Sequence, residues 1–253
     1  MTGSGFELTR TGAVARVRLD RPEQHNALGS ADITGLRGAL TGIAADTSVR
    51  ALLLTGAGQR SFCSGASLKE LASGEMSGEL FSTLTDALAS LEITTVCALN
   101  GDAWGGGAEL ALCCDYRLGV EGMRMRVPAA RIGLCYPLAG LQRYISKLGL
   151  DVATRMLVGA EEFDATGLRE AGFLHRVLPS ESLLADAEAL AHSLAGLAPL
   201  AMRTMKRLLG EIARDTLDVQ AARAAIDACA ASADLREGLA AQREKREPRF
   251  SGR

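Results

Sequence analysis

The sequence has few of the features that direct a protein to a membrane or to nucleic acid. Aromatic residues make up only 4% of the 253 residues, and the formal net charge is −2. A chain so close to neutral has no electrostatic reason to bind nucleic acid or an anionic membrane. Uncharged runs such as 132–142 are well short of the ~18 residues that a membrane-spanning helix needs. The N-terminus has no basic segment followed by an apolar stretch, so we expect no secretory signal and a cytoplasmic protein.

Metal-ligating residues are also sparse. Six cysteines and three histidines are present, but no two cysteines form a C-x-x-C pair. We therefore expect no zinc site and no other bound metal. The simplest interpretation of the cysteines is that they are reduced, buried thiols of a cytosolic protein.

Short apolar segments in the first half of the chain predict strands that alternate with helices. Alternation of polar and apolar residues predicts a half-buried strand at Val14–Leu19, and an apolar run at 51–54 predicts a strand buried on both faces. Between them, Ser30 is expected to cap a helix. The apolar residues of that helix recur at helical spacing: Ile33, Leu36, Leu40 and Ile43.

The alternation of strands and helices continues as far as about residue 180. Strands are predicted at 95–99, 116–119, near 123–127 and at 174–177, and helices at 78–91 and 105–113. This succession predicts α/β architecture with right-handed crossovers. Beyond residue 180 only helical patterns remain. We therefore divide the chain into an α/β core, 1–195, and a C-terminal helical region, 196–253, that packs against the core or a neighbouring subunit.

Two glycine-containing turns, 61–68 and 100–110, each follow a probable parallel strand. Ligands gather at the carboxyl ends of parallel strands in open sheets. Three successive glycines, 105–107, open a helix, so their N–H groups are unobstructed and suit a developing oxyanion. The spacing is neither a dinucleotide-binding motif, nor a phosphate loop, nor a nucleophile elbow. On these residues alone, a purely structural helix start fits as well as a catalytic one.

The two turns resemble the paired signature of the crotonase (enoyl-CoA hydratase/isomerase) superfamily. The second turn matches almost position for position through Asp115, and the resemblance continues in 21–28, 131–134 and 236–250. It implies a spiral of ββα turns whose C-terminal helices mediate trimerisation, as a homotrimer or a dimer of trimers. It also implies an acyl-CoA substrate, with coenzyme A as part of the substrate and no permanently bound cofactor.

The resemblance also assigns binding roles to residues of this sequence. The backbone N–H groups of Ala66 and Gly106 would form the oxyanion hole for the thioester oxygen. Lys69 and Lys245 match positions that approach the coenzyme A phosphates in relatives, where the second comes from the adjacent subunit. Either lysine could equally be a solvated surface charge. Trp104 is expected to pack beside the active-site turn.

One acid/base residue is retained and one is replaced. Glu109 matches one of the two glutamates with which hydratases add water, although an acidic residue in a first helical turn is also favoured by the helix dipole. Ala129 stands in place of the second glutamate. Because one general acid or base typically contributes roughly 10²–10⁴-fold, classical hydratase activity is expected to be weak.

Tyr136 is the candidate substitute, since decarboxylases of the superfamily place a tyrosine there. It could instead line the acyl pocket or pack in the core. Three functions therefore remain open: a hydratase or isomerase acting through Glu109, a decarboxylase or other lyase acting through Glu109 and Tyr136, and a non-catalytic acyl-CoA binder.

Overall fold

The computed structural model describes residues 5–253. These residues form ten strands, which are β1 (Phe6–Thr11), β2 (Val14–Leu19), β3 (Ala51–Gly56), β4 (Ser61–Cys63), β5 (Thr94–Leu99), β6 (Asp102–Trp104), β7 (Tyr116–Val120), β8 (Arg124–Arg126), β9 (Phe163–Asp164) and β10 (Arg176–Leu178). They also form ten α-helices, which are α1 (Ser30–Ala45), α2 (Leu68–Ser73), α3 (Gly78–Ala89), α4 (Gly106–Leu112), α5 (Leu138–Ala153), α6 (Ala165–Glu170), α7 (Ser180–Ala195), α8 (Pro199–Ala213), α9 (Val219–Ala230) and α10 (Ala233–Glu244).

The strands form two sheets that are built by a repeated unit. The larger sheet has the order β1-β2-β3-β5-β7-β10, and the smaller has the order β4-β6-β8-β9. A long strand in the first sheet, a short strand in the second and a following helix occur three times, beginning at β3, β5 and β7. The long strands pair in parallel with one another, and so do the short ones. This repeat is the predicted α/β core made of ββα turns.

The central strands are buried on both faces, which the apolar run at 51–54 predicted for β3. Every residue of β3 and of β5 is buried, and α7 packs across β3, β5 and β7. An all-apolar strand is typical of a parallel sheet with both faces covered. The predicted strands in this core are therefore confirmed, with shifts of one or two residues at their ends.

Three expectations from the sequence are corrected. Ser30 is the first residue of α1 rather than its cap, because the cap is Gly29, whose N–H donates to Asp32 Oδ2 at 2.9 Å. The last strand begins at Arg176, since the N–H groups of 173 and 174 both donate to the Leu168 carbonyl and close the end of α6. Cys135 is exposed rather than buried.

The C-terminal helices are held to the core by a lysine and by the end of the chain. Lys206 of α8 donates to the Ile93 carbonyl at 2.7 Å and to Asp115 Oδ2 at 2.6 Å. Near the end of the chain, the Phe250 carbonyl accepts a hydrogen bond from Arg50 Nη2 of the core at 2.8 Å. Within residues 5–253, no helix is long and apolar enough to cross a membrane.

Candidate active site

The first two ββα turns bring two loops into contact. Strands β4 and β6 lie side by side in parallel, so the loops that follow them start from neighbouring positions. Gly65 has a φ of +86°, and a Cβ built on it would lie 2.6 Å from the Gly106 nitrogen. Only glycine combines that backbone conformation with so close an approach. The glycine of the first turn therefore lets the second turn dock against it.

Each loop presents one amide that the fold does not use. Leu28 N donates to the Gly65 carbonyl and Ser67 N donates to the Leu28 carbonyl, each at 2.8 Å, and these two bonds flank the Ala66 N–H without engaging it. Gly106 is the first residue of α4, whose N-cap has no capping side chain. Among residues 5–253, neither the Ala66 nor the Gly106 N–H donates to a protein acceptor. Two adjacent free amides are the arrangement that an oxyanion hole requires.

Glu109 lies one turn into α4 and is only 2% exposed. Its carboxyl Oε1 accepts a hydrogen bond from Arg143 Nη1, which comes from α5. Burial raises the pKa of Glu109, and the Arg143 charge, the Tyr136 hydroxyl and the Thr85 hydroxyl oppose that rise. A carboxyl whose pKa lies above its ordinary value exchanges a proton more readily near neutral pH, as a general acid or base needs to do.

Tyr136 lies in the segment just before α5, beside Glu109. Its ring packs edge-on against Tyr144, with ring centroids 5.9 Å apart. Burial, Tyr144 and Glu109 all raise the pKa of Tyr136 well above its ordinary value, so the phenol stays protonated and keeps an O–H group that can donate a hydrogen bond. Gly140 makes room for this pair, because a Cβ there would lie 2.6 Å from the Tyr136 ring and 3.2 Å from Glu109 Oε1.

The remaining predicted residues lie in different surroundings. Ala129 is buried, with 7% exposure, at the start of a 3₁₀ turn and contributes only a methyl group. Trp104 ends β6, and its ring centroid is 6.0 Å from the Arg124 guanidinium. Lys69 and Lys245 are exposed, and neither forms an ion pair with another described residue. The structure thus brings together Ala66, Gly106, Glu109 and Tyr136, and leaves both lysines at the surface.

Three residues at the site had no sequence signal. Arg143, Tyr144 and Thr85 all act on Glu109 or Tyr136, yet no motif in the sequence includes them. Arg143 and Tyr144 lie in α5, a helix that the sequence patterns did not predict. The tyrosine hydroxyl of residue 144 is buried and has no hydrogen-bond partner within residues 5–253.

Comparisons with known proteins agree with this geometry. The family model described as enoyl-CoA hydratase/isomerase matches residues 9–253. The chain is 33% identical to the 2,3-dehydroadipyl-CoA hydratase of Escherichia coli K12, over 97% of this chain and 98% of that protein. It is 34% identical to the probable enoyl-CoA hydratase echA6 of Mycobacterium tuberculosis, over 97% of this chain and 98% of that protein.

Solved structures give the same result. The crystal structure of the enoyl-CoA hydratase from Bacillus anthracis superposes with a TM-score of 0.92 at 28% identity, covering 99% of this chain and 100% of that one. The fold, the two glycine turns and the near-complete match in length agree with one another. The chain therefore belongs to the enoyl-CoA hydratase/isomerase family, the crotonase superfamily, whose members act on CoA thioesters.

Proposed function

We propose that this chain stabilises a thioester enolate between the N–H groups of Ala66 and Gly106, with Glu109 as the acid/base. The observation that carries the proposal is the pair of free amides on two touching loops, with a buried carboxyl one turn along the helix that supplies one of them. Removing a single oxyanion-hole donor typically costs roughly 10²–10³-fold in rate. Two such donors stabilise the enolate, so that a carboxylate base can remove the α-proton of a thioester.

A single carboxylate favours proton transfer within the substrate over the addition of water. Glu109 can remove a proton from Cα of a 3-enoyl thioester to give a dienolate. The dienolate electrons then form the Cα–Cβ double bond, and the electrons of the former Cβ–Cγ double bond take the proton that Glu109 returns to Cγ. Hydration needs a base for the water and an acid for Cα, and the buried Ala129 supplies neither. We therefore expect hydration of a 2-enoyl thioester to be slower than isomerisation of a 3-enoyl thioester.

Coenzyme A binding is proposed to involve Lys69, just after the first turn, and Lys245, which would reach the phosphates from the adjacent subunit. Lys69 follows that turn in α2 and is exposed, as is Lys245 at the end of α10. Neither lysine is neutralised by a carboxylate of the described chain, so both are available to phosphate groups. Ala129 and Trp104 are proposed to line the acyl pocket.

The C-terminal helices are proposed to mediate trimerisation. Helix α8 exposes the large apolar residues Met205, Leu209 and Ile212, with exposures of 59%, 67% and 58%. Their spacing places them on one side of the helix, away from the core. An apolar stripe of this kind is typical of a surface that is covered by another subunit.

Decarboxylation is the second candidate, and the position of Tyr136 favours it. The protonated phenol beside Glu109 can donate a hydrogen bond to a substrate carboxylate. In such a reaction the bond between Cα and the carboxylate breaks, carbon dioxide leaves, and the bond electrons move onto the thioester oxygen held by the two amides. A proton delivered to Cα then completes the reaction.

The test is a panel of CoA thioesters followed by mass spectrometry. The panel contains crotonyl-CoA, a 3-enoyl-CoA, 2,3-dehydroadipyl-CoA and malonyl-CoA. We expect turnover of at least one, and a fall of roughly 10²–10⁴-fold in kcat for Glu109→Gln. The exposed Glu161 gives the matched control, since Glu161→Gln makes the same chemical change away from the site.

Each outcome selects one function. Turnover of an enoyl-CoA supports the hydratase/isomerase assignment, and loss of carbon dioxide that depends on the hydroxyl removed in Tyr136→Phe supports the decarboxylase. Coenzyme A binding without turnover of any thioester, together with indifference to Glu109→Gln, would contradict both and leave a binding protein.

A further inference from the structure

Arg143 joins the proposed acid/base to a second carboxylate at the surface. Its Nη1 donates to Glu109 Oε1, and its Nη2 donates to Asp86 Oδ1 at 2.6 Å. The side chain of Arg143 is 11% exposed, between the 3% of Glu109 and the 55% of Asp86. The three residues come from α5, α4 and α3, so a single guanidinium ties three helices together at the site.

The geometry of this contact restricts what Glu109 can do. A guanidinium is planar, remains charged at all relevant pH values and directs its N–H groups rigidly, so it fixes a carboxylate more firmly than a lysine does. Because the far edge of Arg143 is held by Asp86, the near edge cannot rotate freely. Nη1 also reaches Oγ1 of Thr85, the residue before Asp86 in α3, at 3.4 Å.

We propose that Arg143 is a positioning residue for Glu109, fixing the orientation and the charge of its carboxyl, and that Asp86 limits how strongly Arg143 acts. This inference rests on the proposed role of Glu109 as the acid/base. It assigns to one guanidinium the anchoring of a carboxyl that works without a second glutamate beside it.

Arg143 and Asp86 are the charged members of the group that faces Glu109. The other titratable neighbours come from α5, from the segment before it and from the end of α4, and they are Tyr144, Tyr136 and Cys113. Burial raises the pKa of each of the three above its ordinary value, so each remains neutral near pH 7. Burial and the Asp86 charge thus disfavour the ionised form of Glu109, and the Arg143 charge favours it.

The two neighbours predict opposite effects. In Arg143→Gln, Glu109 loses its cation while it stays buried, so its carboxyl should titrate at higher pH. In Asp86→Asn, the competing negative charge disappears, so the carboxyl should titrate at lower pH. Arg143→Lys keeps the charge and should restore part of the original behaviour, although an ammonium cannot hold both carboxylates in the same plane.

The experiment is a carbon-13 NMR titration of the full chain labelled at the glutamate side-chain carboxyl. The Glu109 resonance is identified by its absence in Glu109→Gln. The acidic limb of the kcat/KM profile, measured on whichever thioester the panel identifies, should move in the same direction as the carboxyl. Arg143→Gln should also lower kcat/KM by roughly 10-fold to 10²-fold, as expected when a reacting group is displaced.

Arg155→Gln provides the matched control, because it breaks an Arg–Glu pair that is exposed and lies outside the site. It should move neither the Glu109 titration nor the kcat/KM profile. Titration midpoints that stay in place, or that move in the same direction in Arg143→Gln and Asp86→Asn, would overturn the inference. If Arg143→Gln does not fold, Arg143→Lys decides in its place: a Glu109 titration that stays near its original midpoint together with a lower kcat/KM supports the positioning role, and an unchanged kcat/KM overturns it.

The NMR measurement needs no substrate, so it separates the two proposals. A carboxyl that responds as expected in a protein that turns over no thioester would leave the positioning role intact and reject the proposed function. An active enzyme whose Glu109 titration is unchanged in both Arg143→Gln and Asp86→Asn would support the proposed function and reject the positioning role of Arg143.

Discussion

Gly140 occupies the first turn of α5, where the rings and carboxyl of the site are most crowded. A Cβ at this position would lie 2.6 Å from Tyr136 Cε1. Real Cβ atoms essentially never approach so closely, so the ring would have to move. At the scale of single residues, the site thus depends on the absence of a side chain at Gly140 as well as on Glu109 and Tyr136.

Gly140→Ala tests this crowding. Alanine normally stabilises a helix interior by roughly 0.5–1 kcal/mol relative to glycine. We expect Gly140→Ala to gain none of this and to lower kcat/KM by about tenfold, because Tyr136 and Glu109 shift from their productive positions. The measurements are thermal unfolding and steady-state kinetics.

Gly38 provides the matched control. It lies in α1, and a Cβ built there has no heavy atom within 4 Å. Gly38→Ala should therefore gain stability and keep full activity. Full activity in Gly140→Ala as well would show that the position of the Tyr136 ring is irrelevant to turnover.

At the scale of elements, the site depends on the register between two strand-to-helix loops. The loop after β4 and the loop after β6 touch at Gly65 and Gly106 because their strands pair in parallel. Strands β4 and β6 have only three residues each, so the contact between the loops is part of what holds them together. This contact keeps the two free amides of the site on neighbouring loops.

Gly65→Ala is expected to disrupt the contact between the loops. The new Cβ would meet the Gly106 nitrogen, pushing the two amides apart and removing at least one donor, with a loss of roughly 10²-fold or more in kcat. Steady-state kinetics and chemical unfolding measure the two effects separately.

Gly74 separates the loss of activity from backbone strain. It ends α2 with a φ of +80°, close to the value of +86° at Gly65, but a Cβ added to it would have no heavy atom within 4 Å. Each alanine variant should lose roughly 1–2 kcal/mol of stability, since a left-handed conformation disfavours a side chain. Gly65→Ala should lose more than Gly74→Ala, because its Cβ also meets the Gly106 nitrogen. Only Gly65→Ala should lose activity. Equal losses of activity in Gly65→Ala and Gly74→Ala would contradict the oxyanion-hole assignment.

At the scale of the whole molecule, the α/β core buries its apolar residues, while the C-terminal helices leave apolar residues exposed. Helices α8, α9 and α10 bury few of their own residues, whereas α7 buries five against the sheet. This difference in burial favours the division into core and helical region at residue 195, which stays a prediction. The proposed subunit contact on α8 is also far along the chain from the two glycine turns.

The stripe on α8 predicts the assembly state. Sedimentation equilibrium should give a mass of three chains, or six for a dimer of trimers, and Leu209→Asp should reduce it. Leu150→Asp is the control, because Leu150 is 65% exposed, nearly the same as Leu209 at 67%, and lies on α5 instead. A monomeric mass for the unaltered chain would contradict the proposed trimer.

The sequence by itself determined the α/β core, the two glycine turns and the family. These features are local: strands β2, β3 and β5 show in the spacing or continuity of apolar residues, and the turns show in their glycines. Strand β1 escaped prediction because it is an edge strand with no buried residue to impose a pattern.

Only the tertiary structure decided what surrounds Glu109. Along the chain, Glu109 lies 34 residues before Arg143, and Asp86 lies 57 residues before it. Their meeting depends on how α3, α4 and α5 pack, and charged residues on separate helices leave no periodic trace in the sequence. The carboxyl was predictable from its motif, whereas the cation that orients it became visible only when three helices were placed side by side.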